Sequence, residues 1–258
     1  MDIMSFIGLI AAAGLLVYGI SDGGSVSDFI ASGSVAVTAG GTFAALMIAF
    51  PPRVFASLPK LLAKIFLPGL YDFNPQKYVG IIAEIADDAK KYGILYLDGK
   101  LHDYKDEFIR KGIQLAVDSE QPEAVRDALE TELGYMIERH KSGIRFFEKG
   151  AAYAPGFGLL GTLSGLIKLL ADADDPSKIA GGMAAALITM FYGLILANVI
   201  FLPMGNKLKK RSDEEVLCKQ LVIEGVVAII EGGTPSQIKE KLMPYIPPSM
   251  RINKKSRK

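Results

Sequence analysis

The chain has 258 residues, a formal net charge of +1 and no tryptophan; half of its residues are hydrophobic, and its mean hydropathy is +0.29. A soluble domain of this length is usually more polar, so the composition favours a membrane protein. The single cysteine, Cys218, excludes an internal disulfide framework, and the sequence has no CxxC motif or Cys/His cluster for a metal. We therefore expect neither a metal nor a cofactor.

Four apolar stretches are long enough to cross a bilayer as helices, which takes about 20 residues. They cover roughly residues 3–20, 29–50, 151–171 and 181–204. None of them contains Asp or Glu, and their one basic residue, Lys168, lies close to an end, where its side chain can reach the interface. The pattern predicts four transmembrane helices.

The distribution of basic residues predicts the orientation of these spans. All of the 29 Lys and Arg residues except Lys168 and Lys178 lie in residues 51–150 or after residue 204. Because basic residues near span ends stay on the cytoplasmic side, both segments and both termini should be cytoplasmic. The expected organisation is a transmembrane hairpin (1–50), a cytoplasmic helical domain (51–150), a second transmembrane hairpin (151–204) and cytoplasmic C-terminal helices with a basic tail (205–258).

Helical periodicity continues through the polar segments. A basic amphipathic stretch at 53–66 should lie on the membrane surface. Helices are expected at about 75–91 and 98–117, and a third, beginning near Pro122, should lead straight into the third span. The fourth span should continue as a helix over 208–231, followed by a short helix at 235–243 and a tail at 251–258 that either contacts anionic lipid or aids solubility. No strand pattern interrupts these segments, so the predicted fold class is an all-α integral membrane protein.

Small residues recur at four-residue intervals along spans three and four. Such stripes allow helix backbones to approach closely within lipid. They could pack the spans of one chain together, or they could receive the helix of a partner. In the second case the partner-helix packing residues would be Gly158, Gly161, Gly165, Ala185, Gly193 and Ala197.

Two threonines, Thr162 and Thr189, place hydroxyl groups on these small-residue faces near mid-membrane. A threonine in a membrane helix often bonds its own backbone carbonyl. Alternatively, a hydroxyl oxygen can ligate an ion that has lost its water, which would make both residues part of an ion pathway. The spans contain no carboxylate, so a chain that conducts ions would need one from another polypeptide.

Several motifs together resemble the MotA/PomA family of flagellar stator subunits, across essentially the whole chain. They are AYAPGFGLLGT at 152–162, DDPSKIAGGM at 174–183, ALITMFYG at 186–193, LP at 202–203 and ADDAKKYGILYLD at 86–98. The resemblance implies a homopentamer in the bacterial inner membrane around a MotB-type partner whose single span supplies the missing aspartate. Ion flow would then turn the ring, and the cytoplasmic domain would act on the rotor protein FliG.

The resemblance also implies roles for individual residues. The rotor-binding set would be Asp87, Lys90, Lys91 and Asp98, where Lys90 and Asp98 stand in place of the Arg and Glu typical of the family. Two prolines, Pro155 opening span three and Pro203 closing span four, match the functional prolines of the family. Without the resemblance, the charges would be ordinary surface residues and the prolines would be helix kinks.

Other functions fit less well. An ExbB/TolQ-like energising subunit resembles spans three and four but has three spans, and a structural membrane anchor stays open. A transporter would need a repeat, a broken helix or an intramembrane charge, and an enzyme would need a nucleophile and base or a phosphate loop. The coupling ion stays open between proton and sodium, because Thr162 resembles a threonine of sodium-type stators whereas Met190 replaces a second one.

Overall fold

The computed structural model describes residues 3–67, 73–118, 121–171 and 176–248, and every regular element in these ranges is a helix. Four of the helices are long and apolar enough to cross a membrane. The predicted four-span, all-α fold class is therefore confirmed. The predicted basic tail and residues 172–175 lie outside the described residues. The helices are α1 (Ile3–Gly23), α2 (Ser32–Ala49), α3 (Pro52–Phe66), α4 (Pro75–Tyr92), α5 (Glu107–Asp118), α6 (Pro122–Ala171), α7 (Pro176–Ile195, Leu196–Phe201 and Leu202–Ile230 in succession) and α8 (Pro235–Leu242).

The chain divides into two compact units. The first, which we name the span unit, consists of Met1–Tyr71 and His140–Lys210; the second, the polar unit, consists of Asp72–Arg139 and Arg211–Lys258. Helices α6 and α7 each contribute to both units. The assignment of the polar segments to the cytoplasm stays a prediction.

The span unit holds an aromatic core. Phe146 makes edge contacts with Phe50 and Phe55, with ring centroids 5.5 and 5.3 Å apart. Phe147 and Phe201 extend the same cluster. Helix α3 joins it because it buries Val54 and Ile65 while Arg53 and Lys60 stay exposed, which is the pattern expected of an amphipathic helix.

Two of the spans contain a turn of π-helix, at Ala36–Gly40 in α2 and at Leu196–Phe201 in α7. At the second turn, the Leu202 N–H donates to the Ala197 carbonyl, five residues back. Pro203 follows immediately and has no N–H to donate. Turns of this type are often found at functional sites, and these two lie where the spans pack together.

The polar unit begins with α4, whose start is fixed by Asn74. Its side chain accepts the Gln76 N–H, and Pro75 occupies the first helical position, as the sequence predicts. Gly93, with φ of 86°, ends the helix, a conformation that favours glycine.

One predicted boundary is wrong. The helix expected over 98–117 begins at Glu107 and is preceded by a 3₁₀ segment, Ile94–Asp103. The reason is a cap: one carboxylate oxygen of Asp106 accepts the N–H groups of Phe108 and Ile109 at 2.8 and 3.3 Å. A carboxylate in that position satisfies the free donors of a helix start.

Helices α6 and α7 are the two longest helices of the described chain. The expectation that the third predicted helix leads straight into span three agrees with the single 50-residue helix Pro122–Ala171. Helix α7 ends at Ile230, Gly232 in the following turn has a φ of 79°, and the Gly233 N–H donates to the Ala228 carbonyl at 2.9 Å. A capping box between Thr234 and Gln237 then starts α8.

The polar unit is packed around an aliphatic core. It is built from α4, α5, α6, α7 and α8, and its fully buried members include Ile82, Ile85, Leu97, Ile109, Ile113, Leu129, Leu221, Val222, Ile238 and Leu242. One charged network lies within this core. The ammonium group of Lys219, which is 7% exposed, contacts both carboxylate oxygens of Asp106 at 2.8 and 2.9 Å, and the Tyr78 hydroxyl donates to Asp106 at 2.5 Å.

Candidate functional site

Buried hydroxyl groups of three helices bond the backbone carbonyls of their own and neighbouring helices inside the span unit. Each of these side chains is at most 9% exposed; they are Ser34, Thr38 and Thr42 of α2, Thr162 of α6 and Thr189 of α7. We name them the hydroxyl cluster. It includes both threonines that the sequence singled out, and it adds three hydroxyls from the first hairpin.

Thr189 links α7 to α2. Its hydroxyl lies 2.8 Å from the Ala185 carbonyl of its own helix and 2.8 Å from the Ser34 hydroxyl oxygen. Because a hydroxyl donates one proton, these two acceptors are alternatives. Thr38 adds a second link, since its hydroxyl lies 3.2 Å from the Thr189 carbonyl and 2.9 Å from the Ser34 carbonyl.

Thr162 links α6 to α7 in the same way. Its hydroxyl is 2.8 Å from the Ala186 carbonyl and 3.1 Å from the Gly158 carbonyl of its own helix. Both predicted pathway threonines thus satisfy the ordinary expectation that a membrane threonine bonds its own backbone, and both also bond across a helix interface. Their role as ion ligands stays a prediction.

The contribution of α2 was missed in the sequence, although a signal was present. Ser34, Thr38 and Thr42 are spaced at four-residue intervals, the same interval that marks the stripes on spans three and four. An apolar segment with three hydroxyls on one face should have been read as a helix that packs through that face.

The small-residue stripes pack α6 against α7 within the chain. A methyl group added at Gly193 would lie 2.7 Å from the Ala154 carbonyl oxygen and 3.2 Å from the Gly158 Cα. One added at Gly165 would lie 2.9 Å from the Ala186 Cβ, and one at Gly161 would overlap the Thr189 methyl. These contacts leave no room for a larger side chain.

This packing supports one of the two interpretations of the stripes. The faces of Gly158, Gly161, Gly165 and Gly193 contact neighbouring helices of the same chain, and their packing against a partner helix stays a prediction. Ala197 is also buried, whereas Ala185 is exposed. Of the six predicted partner-packing residues, Ala185 is therefore the one whose side chain stays accessible.

The two prolines lie inside long helices rather than at helix ends. Pro155 is an interior residue of α6, and it belongs to the closest approach of the helices, because a methyl group on Gly193 would lie 3.2 Å from the Pro155 Cα. Pro203 is exposed and follows the π-helical turn of α7. The functional role of both prolines stays a prediction.

The predicted rotor-binding residues lie on one segment of the polar unit, from the last turns of α4 to the 3₁₀ segment. Asp87 and Lys91 pair with each other at 2.5 Å, one helical turn apart. Lys90 and Asp98 are exposed, and neither forms an ion pair with another residue that the structure describes. Their charges are therefore available to a binding partner.

A second ion pair, missed in the sequence, fixes the shape of this segment. The ammonium group of Lys100 contacts the Asp88 carboxylate at 2.8 Å, and the hydrogen bond raises the pKa of Lys100. This pair joins α4 to the 3₁₀ segment across the turn at Gly93. Its members lie 12 positions apart, too far for a helical-spacing rule to find them.

No group of three or more His, Cys, Asp or Glu residues in the described part of the chain is arranged to hold a metal ion. The polar atoms that the hydroxyl cluster brings together are uncharged hydroxyl and carbonyl oxygens.

Comparison with known proteins identifies the family. The profile of the MotA/TolQ/ExbB proton channel family matches residues 100–220. Motility protein A of Treponema phagedenis is 37% identical over 96% of this chain and 95% of its own length. Chemotaxis protein PomA of Vibrio alginolyticus is 34% identical over 95% of this chain and 96% of its own length.

A solved structure supports the same family assignment. The flagellar MotAB stator complex from Bacillus subtilis contains a chain that is 31% identical and superimposes with a TM-score of 0.88, covering 95% of this chain and 96% of that one. The relation to ExbB and TolQ exists only at the level of the broad family, a family of proton channels rather than of enzymes. The chain belongs to the motility protein A family of flagellar stator proteins.

Proposed function

We propose that this chain is the ring-forming subunit of a flagellar stator that, together with a MotB-type partner, couples ion flow across the bacterial inner membrane to torque on the rotor. The observation that carries the proposal is the polar content of the spans. Residues 3–20, 29–50, 151–171 and 181–204 contain no Asp or Glu, yet five buried hydroxyls cluster between three of the helices.

The missing carboxylate defines the partner. Ion passage through a membrane protein usually uses an ionisable residue that faces the interior of the bundle. A partner with a single span can place an aspartate beside a ring of copies of this chain, and the similar Bacillus subtilis structure is a complex of the MotAB type. We infer a homopentamer with both termini in the cytoplasm and lipid around its outer face.

Thr162 and Thr189 are the proposed oxygen ligands of the ion pathway. Both hydroxyls already donate their proton to a carbonyl group. Each would therefore ligate an ion through the lone pairs of its oxygen while keeping that hydrogen bond. That arrangement suits either a hydronium ion or sodium.

Lys90 and Asp98 are the proposed rotor contacts, with Asp87 and Lys91 beside them and FliG as the partner. Exposed charges act mainly through complementarity with the opposing surface and contribute little affinity individually. The two charges without an ion pair among the described residues therefore carry the greater part of this proposal.

The partner requirement is tested by measuring ion flux across membranes that contain this chain alone or together with its MotB-type partner. We expect flux only with the partner, and only while the partner keeps its intramembrane aspartate. A sustained current from this chain alone would overturn the proposal.

The rotor contact is tested by reversing both charges, Lys90→Glu with Asp98→Lys. We expect torque to be lost while membrane insertion and ring assembly persist. A matched control, Lys239→Glu with Glu240→Lys, makes the same charge change at two exposed positions of α8 and should leave torque unchanged. Normal torque in the first variant would remove Lys90 and Asp98 from the contact.

A further inference from the structure

A cleft of about 410 Å³ opens within the span unit between α1, α3 and α7. Its lining is apolar except for the side chains of Ser5, Asn198 and Lys207. Asn198 and Lys207 are nine residues apart on α7, so the cleft follows that helix for about 14 Å. An elongated apolar cleft with few polar groups suits a chain-shaped apolar ligand rather than an ion or a polar metabolite.

The cleft exists because α1 does not close on α7. The two helices meet at one end, where the Lys207 ammonium group donates to the Ser5 hydroxyl at 3.0 Å. Beyond this end, a methyl group added at Gly8 of α1 meets nothing within 4 Å, whereas one added at Gly193 of α7 would lie 2.7 Å from the Ala154 carbonyl oxygen of α6. Every residue of α1 whose exposure the structure describes stays at least partly exposed. The inner face of α1 therefore borders open space that helix packing does not fill.

One end of the cleft is basic. Lys207 lines that end, Lys210 is exposed one helical turn further along α7, and Lys60 is exposed on α3, five residues before the lining residue Ile65. An ammonium group has three protons to donate, so Lys207 can hold Ser5 and a phosphate oxygen at the same time. Basic pockets between membrane helices bind anionic lipid headgroups.

We propose that the cleft binds one acyl chain of an anionic glycerophospholipid whose phosphate is held by Lys207. The acyl chain lies along Gly8 and Ala12 of α1 and Pro203 of α7, and the phosphate lies at the basic end. Because the surrounding bilayer is as apolar as the cleft, selectivity comes from the fit of the chain and from the phosphate contact. The proposal requires that the chain spans a membrane, and it does not depend on the stator role.

Charge favours a lipid over a second copy of this chain. In a ring, all copies stand at the same depth, so a neighbouring copy seated in the cleft would bring its own basic end beside Lys207 and Lys210. Like charges placed opposite one another oppose association. The predicted spans contain no Asp or Glu, so no span of another copy supplies an anion at the depth of the cleft, whereas a phospholipid does.

The test uses the complete stator complex with its partner in phosphatidylcholine vesicles that contain phosphatidylglycerol with a photoreactive acyl chain. Mass spectrometry after illumination should find label on both walls of the cleft, around Gly8 and around Met204. Gly8→Leu should abolish the label at Met204, because the larger side chain enters open space and fills the cleft. The control is Gly14→Leu, at an exposed position of α1 outside the cleft where an added methyl group also meets nothing within 4 Å; it should keep the label.

The phosphate contact is tested at Lys207. In the wild type, the phosphatidylglycerol probe should label the cleft more strongly than a phosphatidylcholine probe with the same photoreactive chain. Lys207→Gln should remove this preference, and Lys207→Arg should keep it. Equal labelling of the wild type by the two probes would overturn the assignment of an anionic lipid.

Two further outcomes would overturn the inference. Equal label at Met204 in the wild type and in Gly8→Leu would mean that the probe reports only the lipid around the outer face. A photoreactive amino acid at position 8 that captures a second copy of this chain would assign the cleft to a contact between copies. Size-exclusion chromatography checks assembly with the partner, and Ala12→Leu fills the same cleft one turn further along α1 as a second variant.

Discussion

The span unit and the polar unit bury polar groups by opposite means. In the span unit, the hydroxyl cluster is uncharged and bonds backbone carbonyls across helices whose backbones touch at Gly158 and Gly193. In the polar unit, aliphatic side chains build the core, and a buried ionic network joins Asp106, Lys219 and Tyr78.

The difference follows from the surrounding medium. Within lipid there is no hydrophobic gain from bringing two apolar helices together, so association depends on close packing and hydrogen bonds. In water the aliphatic core supplies the driving force, and a buried ion pair is tolerated because its partners satisfy each other. The span unit should therefore be sensitive to shape and insensitive to the loss of a hydroxyl, whereas the polar unit should be sensitive to charge.

Shape is tested most severely at Gly193. The substitution Gly193→Val places a branched side chain against the backbone of α6, with its Cβ 2.7 Å from the Ala154 carbonyl oxygen. Backbone cannot yield as a flexible side chain does, so we expect no folded protein in the membrane. The control is Gly181→Val on the same helix, where an added methyl group meets nothing within 4 Å. Membrane levels and thermal stability in detergent report the result, and a stable Gly193→Val protein would show that the helix contact is not rigid.

Charge is tested at Asp106. The substitution Asp106→Asn leaves the Lys219 ammonium group buried without its carboxylate, which typically costs about 3–5 kcal/mol. Hydrogen exchange of α4 and α5 in the intact complex should show the loss as reduced protection. Asp127→Asn, at an exposed position of α6, is the control; equal protection in the two variants would mean that the network contributes nothing.

The same network determines how the stability of the polar unit falls at low pH. Burial raises the pKa of Asp106, but hydrogen bonds from Lys219 and Tyr78 outweigh it and hold the pKa below its ordinary value. The carboxylate therefore stabilises the fold above the ordinary pKa of about 4 for an aspartate, and this contribution is lost as the pH falls through the lower folded value. Protection at pH 5 should match that at pH 7 in the wild type.

The buried thiol of Cys218 lowers the stability of the polar unit at high pH. Burial raises the pKa of this thiol to about 12, and burial together with Asp106 raises the pKa of Tyr78 as well. The unfolded chain releases these protons at a lower pH than the folded chain does, so stability falls as the pH rises above about 9. Alkylation of Cys218 at pH 9 should be at least roughly a hundredfold slower than that of a cysteine introduced by Tyr135→Cys, since the thiolate is the reactive form. Similar rates would contradict the burial of the thiol.

Sequence reasoning predicted the features that depend on local pattern and missed those that depend on distant contacts. The four spans and the continuous α6 followed from hydropathy and periodicity, and the predicted stator role is confirmed by the relatives. The Asp106–Lys219 contact joins residues 113 positions apart, and the Thr189–Ser34 contact joins residues 155 apart. Neither has a local signature. The misplaced start of α5 has a local cause instead, because the predicted helix over 98–117 includes Asp106, whose carboxylate caps the helix.

The smallest effect on stability is expected at Thr189. A substitution there can therefore test the function of the hydroxyl separately from its contribution to stability. Valine keeps the shape of threonine, so Thr189→Val preserves the methyl group that meets Gly161 and removes only the hydroxyl bonded to Ala185 or Ser34. Hydrogen bonds of this kind within membranes average under about 1 kcal/mol, so the complex should assemble and melt almost as the wild type does.

The function of the variant should nevertheless differ from that of its control. Thr42→Val removes a hydroxyl that is equally buried and bonded to the Thr38 carbonyl at 2.6 Å, but Thr42 has no proposed place in the ion pathway. If Thr189 ligates the ion, Thr189→Val sharply lowers ion-driven rotation while Thr42→Val leaves it near normal. If Thr189 only packs, the two variants rotate alike, because each has then lost one hydrogen bond of the same kind. Rotation speed, measured with assembled complexes at equal membrane levels, therefore distinguishes an ion ligand from a packing residue where stability cannot.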